Sequence, residues 1–343
     1  MNSWNRRLLL VGSVIFVLIL SACGGSNTGS SGSGPIPLKI MVGGLNKQIY
    51  LPNELAQRLG YFTKEGLNVT LIDEASGQSA EDEVLANQVD AGSGSYNHTI
   101  ELQAAGKQME SVVQLGIAPG EAEMVSAKEA GQIQSPKDLI GKNLGVTELG
   151  SGTQTLTTIL LHNVGISADQ VHFIPVGAGD TFIAAMQQGK IDAGMTTEPT
   201  ISRLLSSGVG KVLADLRTPQ STQAALGGPY PFICVFMQNS YVNSHRDVVQ
   251  KLVNAYVKTL KWIQTHTPDQ IAAMMPPDYY ANNKDLYVTA LKNQVAIFSP
   301  DGKMPDGGPQ FVLSTEKQTN KSVQGKQIDL SMTYTNEFTN NAS

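Results

Sequence analysis

"ANQVDAG" at residues 86–92 and "QQGKIDAG" at 187–194 are near-copies. Each closes a helix-like run and enters a short apolar strand through Asp-Ala-Gly, at Asp90 and Asp192. Around the first copy the chain reads strand 38–43, helix 51–62, strand 67–73, helix 79–88, strand 90–95 and helix 98–106. Around the second it reads strand 141–147, helix 152–165, strand 171–177, helix 180–189, strand 191–195, helix 200–208 and strand 211–216. Strands alternating with helices predict parallel α/β layers whose functional loops lie at the carboxyl ends of the strands. Two copies, and only two, predict a pair of like α/β lobes and not a solenoid.

The last third is different. "SHRDVVQKLVNAYVKTLKWIQTH" (244–266) places Val248, Leu252, Val253, Tyr256, Leu260 and Ile263 on one helical face, with Ser244 as the expected cap. Further helices are expected at 268–275, 283–298 and about 309–320, packed on the first lobe.

At 343 residues the chain has room for two domains at ~150 residues each. It is 41% hydrophobic and 15% charged with a formal net charge of -5, the profile of a globular protein with no basic footprint for nucleic acid. Arg6 and Arg7 precede an apolar run, Leu8 to Leu20, too short for a comfortable membrane span. That run meets Leu20-Ser21-Ala22-Cys23, which resembles a bacterial lipobox with Cys23 as the lipidated residue; the plainer alternative is a secretory signal with an incidental cysteine. Residues 1–23 are thus read as a lipoprotein signal peptide, and the Gly/Ser-rich 24–37 as a flexible tether. Loss of Arg6 and Arg7 on export would take the net charge from -5 to -5 - 2 = -7. Cys234, inside "PFICVF", is the remaining cysteine and reads as a buried structural thiol, so no disulfide is expected.

"LAQRLGYFTKEGLNVTLI" (55–72) is followed in order by "VDAG", "LQAAGK", "SPKDLIGKNLGV" and "GKIDAGMTTEP". From about Ile40 to Phe338 this order resembles the extracytoplasmic solute-binding proteins of ABC importers, in the nitrate/sulfonate/taurine and thiamine-pyrimidine group. The resemblance implies a two-lobed, periplasmic-binding-protein-like α/β fold of type II. Each lobe would be a mostly parallel sheet flanked by helices, with the ligand cleft between them. It places the crossovers near 120–127 and 231–239, giving one lobe of 38–120 plus 235–343 and another of 121–234. Implied partners are a small solute, an ABC permease with its ATPase, and a membrane held through the lipid anchor. The protein would be exported and anchored to the bacterial cell membrane, facing the periplasm or exterior, as a monomer without cofactor or metal.

Four strand-end loops open into helix N-termini: "ASGQSAEDE", "SGSYNHT", "ELGSGTQT" and "PVGAGDT". Such ends carry free N–H groups and about half a positive charge, which suits carboxylate, sulfonate or phosphate. Plain helix capping uses the same residue types. With the loops facing one cleft, as the resemblance implies, Ser76, Gly77, Ser95, Ser151, Gly152 and Thr153 are expected to bind ligand, with Gln78 and Asn97 as amide contacts. Tyr50 and Tyr96 would present rings to the solute or pack between lobes. Glu198 would receive a ligand amine or pair with Arg203, and Asp180 would cap its own helix. Residues 217–232, rich in turn formers, read as cleft rim or hinge.

Enzyme readings find little support. "ELGSGTQT" lacks the Lys-Ser/Thr ending of a P-loop, "GSGSY" is not a nucleophile elbow, and no histidine stands in an obvious sequence relation to a serine. The expected function is capture of a small, anionic solute by lobe closure. The alternatives are binding of a pyrimidine or thiamine precursor, a same-fold enzyme acting on one, and a partner that reports ligand to a sensor.

Overall fold

Asp90 and Asp192 recur because each one clips the last of a sheet's three parallel strands to the first of them. The Asp90 N–H donates to Lys39 O at 3.1 Å, and its carboxylate accepts from Lys39 N at 2.8 Å. Asp192 repeats the exchange with Asn143, at 2.8 Å in both directions. The alanine that follows then pairs in parallel register, Ala91 with Ile40 and Ala193 with Leu144. Glycine comes next because the site is crowded: a Cβ on Gly92 would lie 2.3 Å from the Phe236 ring, and one on Gly194 2.5 Å from Gly145 O.

The structure, a computed structural model, describes residues 34–280 and 282–342. The signal segment, Cys23 and tether residues 24–33 lie outside the described residues. Strands β1 (Ile36–Val42), β2 (Leu67–Asp73), β3 (Ala91–Ser95) and β4 (Met109–Gln114) build the first sheet. The chain then crosses and builds the second from β5 (Glu121–Ser126), β6 (Asn143–Val146), β7 (His172–Pro175), β8 (Ala193–Thr197) and β9 (Gly210–Leu216). β10 (Ile233–Gln238) returns to the first sheet. The strand orders are β2-β1-β3-β10-β4 and β7-β6-β8-β5-β9, one topology used twice. In each sheet the first three strands run parallel, and the crossover strand enters antiparallel at the fourth position.

Several expectations need correction. β1 starts at Ile36, inside the segment read as tether. Ile36 N–H donates to Gly66 O, so the nitrogen of Pro37 faces the side where β3 has not yet begun and no ladder bond is lost. Residues 217–232 contain a helix, Pro219–Leu226: Thr218 is the N-cap, Pro219 the first helical residue and Gly227 the left-handed C-cap. The long C-terminal helix is Arg246–Thr265, and it buries the six predicted residues. Ser244 does not cap it; Ser244 ends the preceding helix, Asn239–Ser244, and donates to Ser240 O at 2.8 Å. Asp180 is likewise inside its helix, with Gly179 at the cap position, and it pairs with Arg203.

The C-terminal helices also reach further than expected. Lys284–Gln294 touches the helix Thr200–Ser206, and Gly308–Thr319 touches Gly152–Asn163, both from the second-sheet half. Leu156, Ile159 and Leu160 accordingly belong to the same buried cluster as Ile40, Phe236 and Tyr256. Two smaller clusters, around Phe182 and Leu144, cover the faces of the second sheet.

Candidate functional site

Between the sheets lies a small cavity of about 20 Å³, room for one water-sized group. Tyr50, Gly77, Ser95, Ser151, Gly152 and Thr153 line it, as do Lys47, Ile49, Glu121, Thr147, Thr197 and Phe232.

On the second-sheet side the loop after β6 turns at Gly150 (φ +84) and starts the helix Gly152–Asn163. Ser151 occupies the cap position without capping. Its hydroxyl donates to Glu148 O at 2.6 Å and lies 2.7 Å from Thr153 Oγ1, which accepts from Thr147 N at 3.0 Å. The serine and threonine therefore organise the loop, and no side chain occupies the helix end. First-turn N–H groups have no acceptor within their own helix, so the end facing the cavity keeps its donors and its partial positive charge. Gly152 is needed there: a Cβ would come within 2.5 Å of the Phe232 ring and 2.8 Å of Ser95 Oγ.

The opposing helix end, Gly77–Leu85, is already occupied. Ser76 accepts from Ser79 N as its cap. The hydroxyls of Ser76 and Ser79 both donate to the Glu148 carboxylate, the latter at 2.7 Å. A carboxylate from the second-sheet loop thus sits where the sequence placed a ligand anion. Together with the 3.0 Å bond from Gln48 N to Glu198 O, it ties the two sides together beside the cavity.

Four sequence candidates are held away from it. The Tyr96 hydroxyl lies 2.7 Å from Thr333 Oγ1, with its ring edge-on to Tyr334. Asn97 donates to Glu101 Oε1 at 2.9 Å, and Gln78 reaches its own helix at Asp82. Glu198 accepts from Ser202 N at 2.9 Å and Arg217 Nη1 at 3.2 Å, while Arg203 pairs with Asp180 instead. Burial still raises the Glu198 carboxyl pKa, opposed by those bonds and by Arg217.

Two charged residues the sequence reading missed carry the electrostatics. Lys47 Nζ is buried and donates to Gly43 O and Ala75 O, both at 2.7 Å. Burial pulls its pKa down to about 8, against the attraction of Glu121, Asp73 and Glu148. Glu121 is 2% exposed, and among the described residues no hydrogen bond reaches its buried Oε2. Burial pushes its carboxyl up to about 8, with Lys47 opposing. Glu123, on the same face of β5, accepts from Thr157 Oγ1 at 2.6 Å and is also pushed up to about 8 by burial. A signal was present in "GEAEM": two acids at strand spacing in a segment buried along its whole length.

A serine and a histidine do meet, contrary to expectation. Ser95 Oγ lies 3.1 Å from His98 Nε2, and His98 Nδ1 lies 2.9 Å from Glu81 Oε2, all three residues buried. The last contact has ion-pair distance without hydrogen-bond alignment. Burial depresses the His98 pKa, but Glu81, then Glu101 and Asp82, outweigh it and the net shift is upward.

Residues 50–271 match the family described as NMT1/THI5 like. A solved structure from Bordetella bronchiseptica RB50 is 33% identical with TM-score 0.85, covering 89% of this chain and 96% of that one. The alkanesulfonate-binding protein SsuA from Xanthomonas axonopodis pv. citri, solved with MOPS bound, has TM-score 0.69 at 17% identity, over 88% and 99% of the two chains. A Candida albicans gene product described as exhibiting the generic periplasmic binding protein fold has TM-score 0.68 at 16% identity, over 87% and 96%. The fold is therefore that of the periplasmic binding proteins.

Proposed function

This chain belongs to the NMT1/THI5-like family, and from that premise we propose that it is an extracytoplasmic solute-binding protein serving an ABC importer. The observation that carries the reading is the uncapped N-terminus of Gly152–Asn163, which meets Ser95 and Tyr50 from the first-sheet side around one small cavity. The moving lobes are assigned as 38–120 with 235–343, and 121–234, with β5 and β10 as the hinge connections. Closure then brings both sides onto the solute, and a ligand favours the closed form only through contacts it lacks in the open one. The sulfonate named for SsuA supports a solute bearing an oxyanion. Cys23 is the proposed lipid anchor, holding the exported protein at the membrane beside its permease.

A thermal-shift screen of alkanesulfonates, taurine, nitrate, bicarbonate, carboxylic acids and pyrimidines tests this. At least one solute raises the melting temperature with concentration, as mass action requires. No shift across the panel would count against the reading.

A hydrolase is the second reading, favoured by the order Ser95, His98, Glu81, which is that of nucleophile, base and orienting acid. Two features weigh against it. His98 is biased to hold its proton, and the Glu81 carboxylate is not aligned with the ring N–H. Labelling of Ser95 by a fluorophosphonate, or turnover of a nitrophenyl ester lost in Ser95→Ala, would establish it.

A further inference from the structure

We infer that a second cavity, between the helices Gly152–Asn163 and Gly308–Thr319, binds a small organic cation through a primary ammonium held by Glu101 and Glu316. It is a site apart from the small cavity between the sheets and shares no lining residue with it, so the inference does not rest on the solute-binding reading.

This cavity has a volume of about 320 Å³, within the range of small-molecule pockets. Glu101, from the helix Asn97–Ala104, meets Glu316 and Asn320 of the C-terminal segment in its lining. Gln154, Thr155 and Thr158 come from the second-sheet half.

The donors that reach the two acids are amides. Asn97 Nδ2 donates to Glu101 Oε1 at 2.9 Å. Asn320 Nδ2 donates to the same oxygen at 3.2 Å and to Glu316 Oε2 at 3.1 Å, which sets the two carboxyls side by side. Amides bring no charge. Glu316 is fully buried, and among the described residues no hydrogen bond reaches its Oε1. Burial raises both carboxyl pKa values; His98 opposes and Glu81 adds at Glu101, and Glu101 adds at Glu316. Paired acids with a bare interior oxygen are costly unless a cation compensates them. Lys321 lines the cavity too, yet the bonds to the acids come from asparagine and not from its ammonium.

The hydroxyls nearby are turned to accept. Thr158 Oγ1 donates to Gln154 O and Thr319 Oγ1 to Thr315 O, both at 2.8 Å, so each presents lone pairs to the cavity. Such a wall suits a guest that brings hydrogens and positive charge together, and an ammonium satisfies both acids at once. Among the described residues no three His, Cys, Asp or Glu side chains gather to hold a metal ion, which favours the ammonium over a metal.

Calorimetric titration of the protein with matched cations tests this: ethanolamine against choline, and putrescine against its bis-trimethylammonium counterpart. Each pair keeps the charge and removes the N–H groups. In at least one pair the primary amine binds about tenfold more tightly. Glu316→Gln and Glu101→Gln each remove most of that preference, while Glu337→Gln, a change to an exposed acid, leaves it in place. The wild-type comparison decides alone if neither site variant folds. Equal or tighter binding of the trimethylated members overturns the inference, as does a preference that survives in both site variants. Binding of Mg2+ or Ca2+ with no binding of amines overturns it in favour of a metal. No binding by any member overturns it too, and is the outcome if the two acids share one proton and take no other guest. The solute-binding reading stands or falls separately, by the thermal-shift screen.

Discussion

Asp192 exchanges two hydrogen bonds with the Asn143 backbone and lies away from the cavity, yet the sequence repeats its setting at Asp90. The repeat was legible; its reason, a clip between the first and last of three parallel strands, needed the register. Asp192→Ala removes a charged acceptor from the half-buried Asn143 N–H and lowers stability by about 1.5–3 kcal/mol in urea unfolding. Asp192→Asn, which keeps an acceptor, costs less. The site was legible only where a residue's type determines its role. Gly152 and the helix end, expected at the cleft, line the cavity, but the same hydroxyl pattern at Ser76 holds Glu148, a partner 72 residues away. Glu121 and Lys47 were missed because a charge in an apolar segment reveals its function only once its neighbours are known.

The buried acids also set a pH dependence. Glu121 and Glu123 have folded pKa values near 8 against ordinary values of 4.5. Between those limits the native state binds protons that the unfolded chain releases, so stability falls as pH rises through the window. Lys47, lowered from 10.5 to about 8, works oppositely, and restores stability above pH 8 where it loses its proton first in the folded state. Glu123→Gln flattens the fall: it leaves stability at pH 4 little changed and raises it at pH 9 by on the order of 3 kcal/mol in denaturant titrations.

At the scale of elements, alternation placed most of the strands and helices, since buried parallel strands and amphipathic helices have distinct periods. Among those overlooked are β4 and the helices Pro219–Leu226, Asn239–Ser244 and Glu337–Asn340. β4, "MESVVQ", is short and mixed, and its burial comes from β10 beside it and from packed helices, most of which lie far away in sequence. The helix Pro219–Leu226 carries Thr-Pro-Gln-Ser at its start and Gly227 at its end, residues that read equally well as a turn. Thr218 accepts from Ser221 N at 3.0 Å. Thr218→Ala therefore costs about 1 kcal/mol of stability, measured by chemical unfolding, and Thr218→Ser costs little.

Across the whole molecule the pair of like α/β halves was legible from the order of strands and helices, while the crossover strands were expected only from the family resemblance. The bridging by C-terminal helices was not legible, because their exposed-looking faces meet the second half only in three dimensions. The bridge joins the two halves by apolar packing as well as through the Glu148 carboxylate. The proposed membrane attachment belongs to this scale too. Cys23→Ala moves the protein from the membrane fraction to the soluble fraction of fractionated cells, and retention on the membrane would mean the lipobox reading is wrong.

Native mass spectrometry of the purified protein, incubated with a solute that raises its melting temperature, tests the central claim most directly. The account predicts one non-covalent solute per chain, released chemically unchanged on denaturation. No retained mass, or a covalent adduct on Ser95, would contradict it.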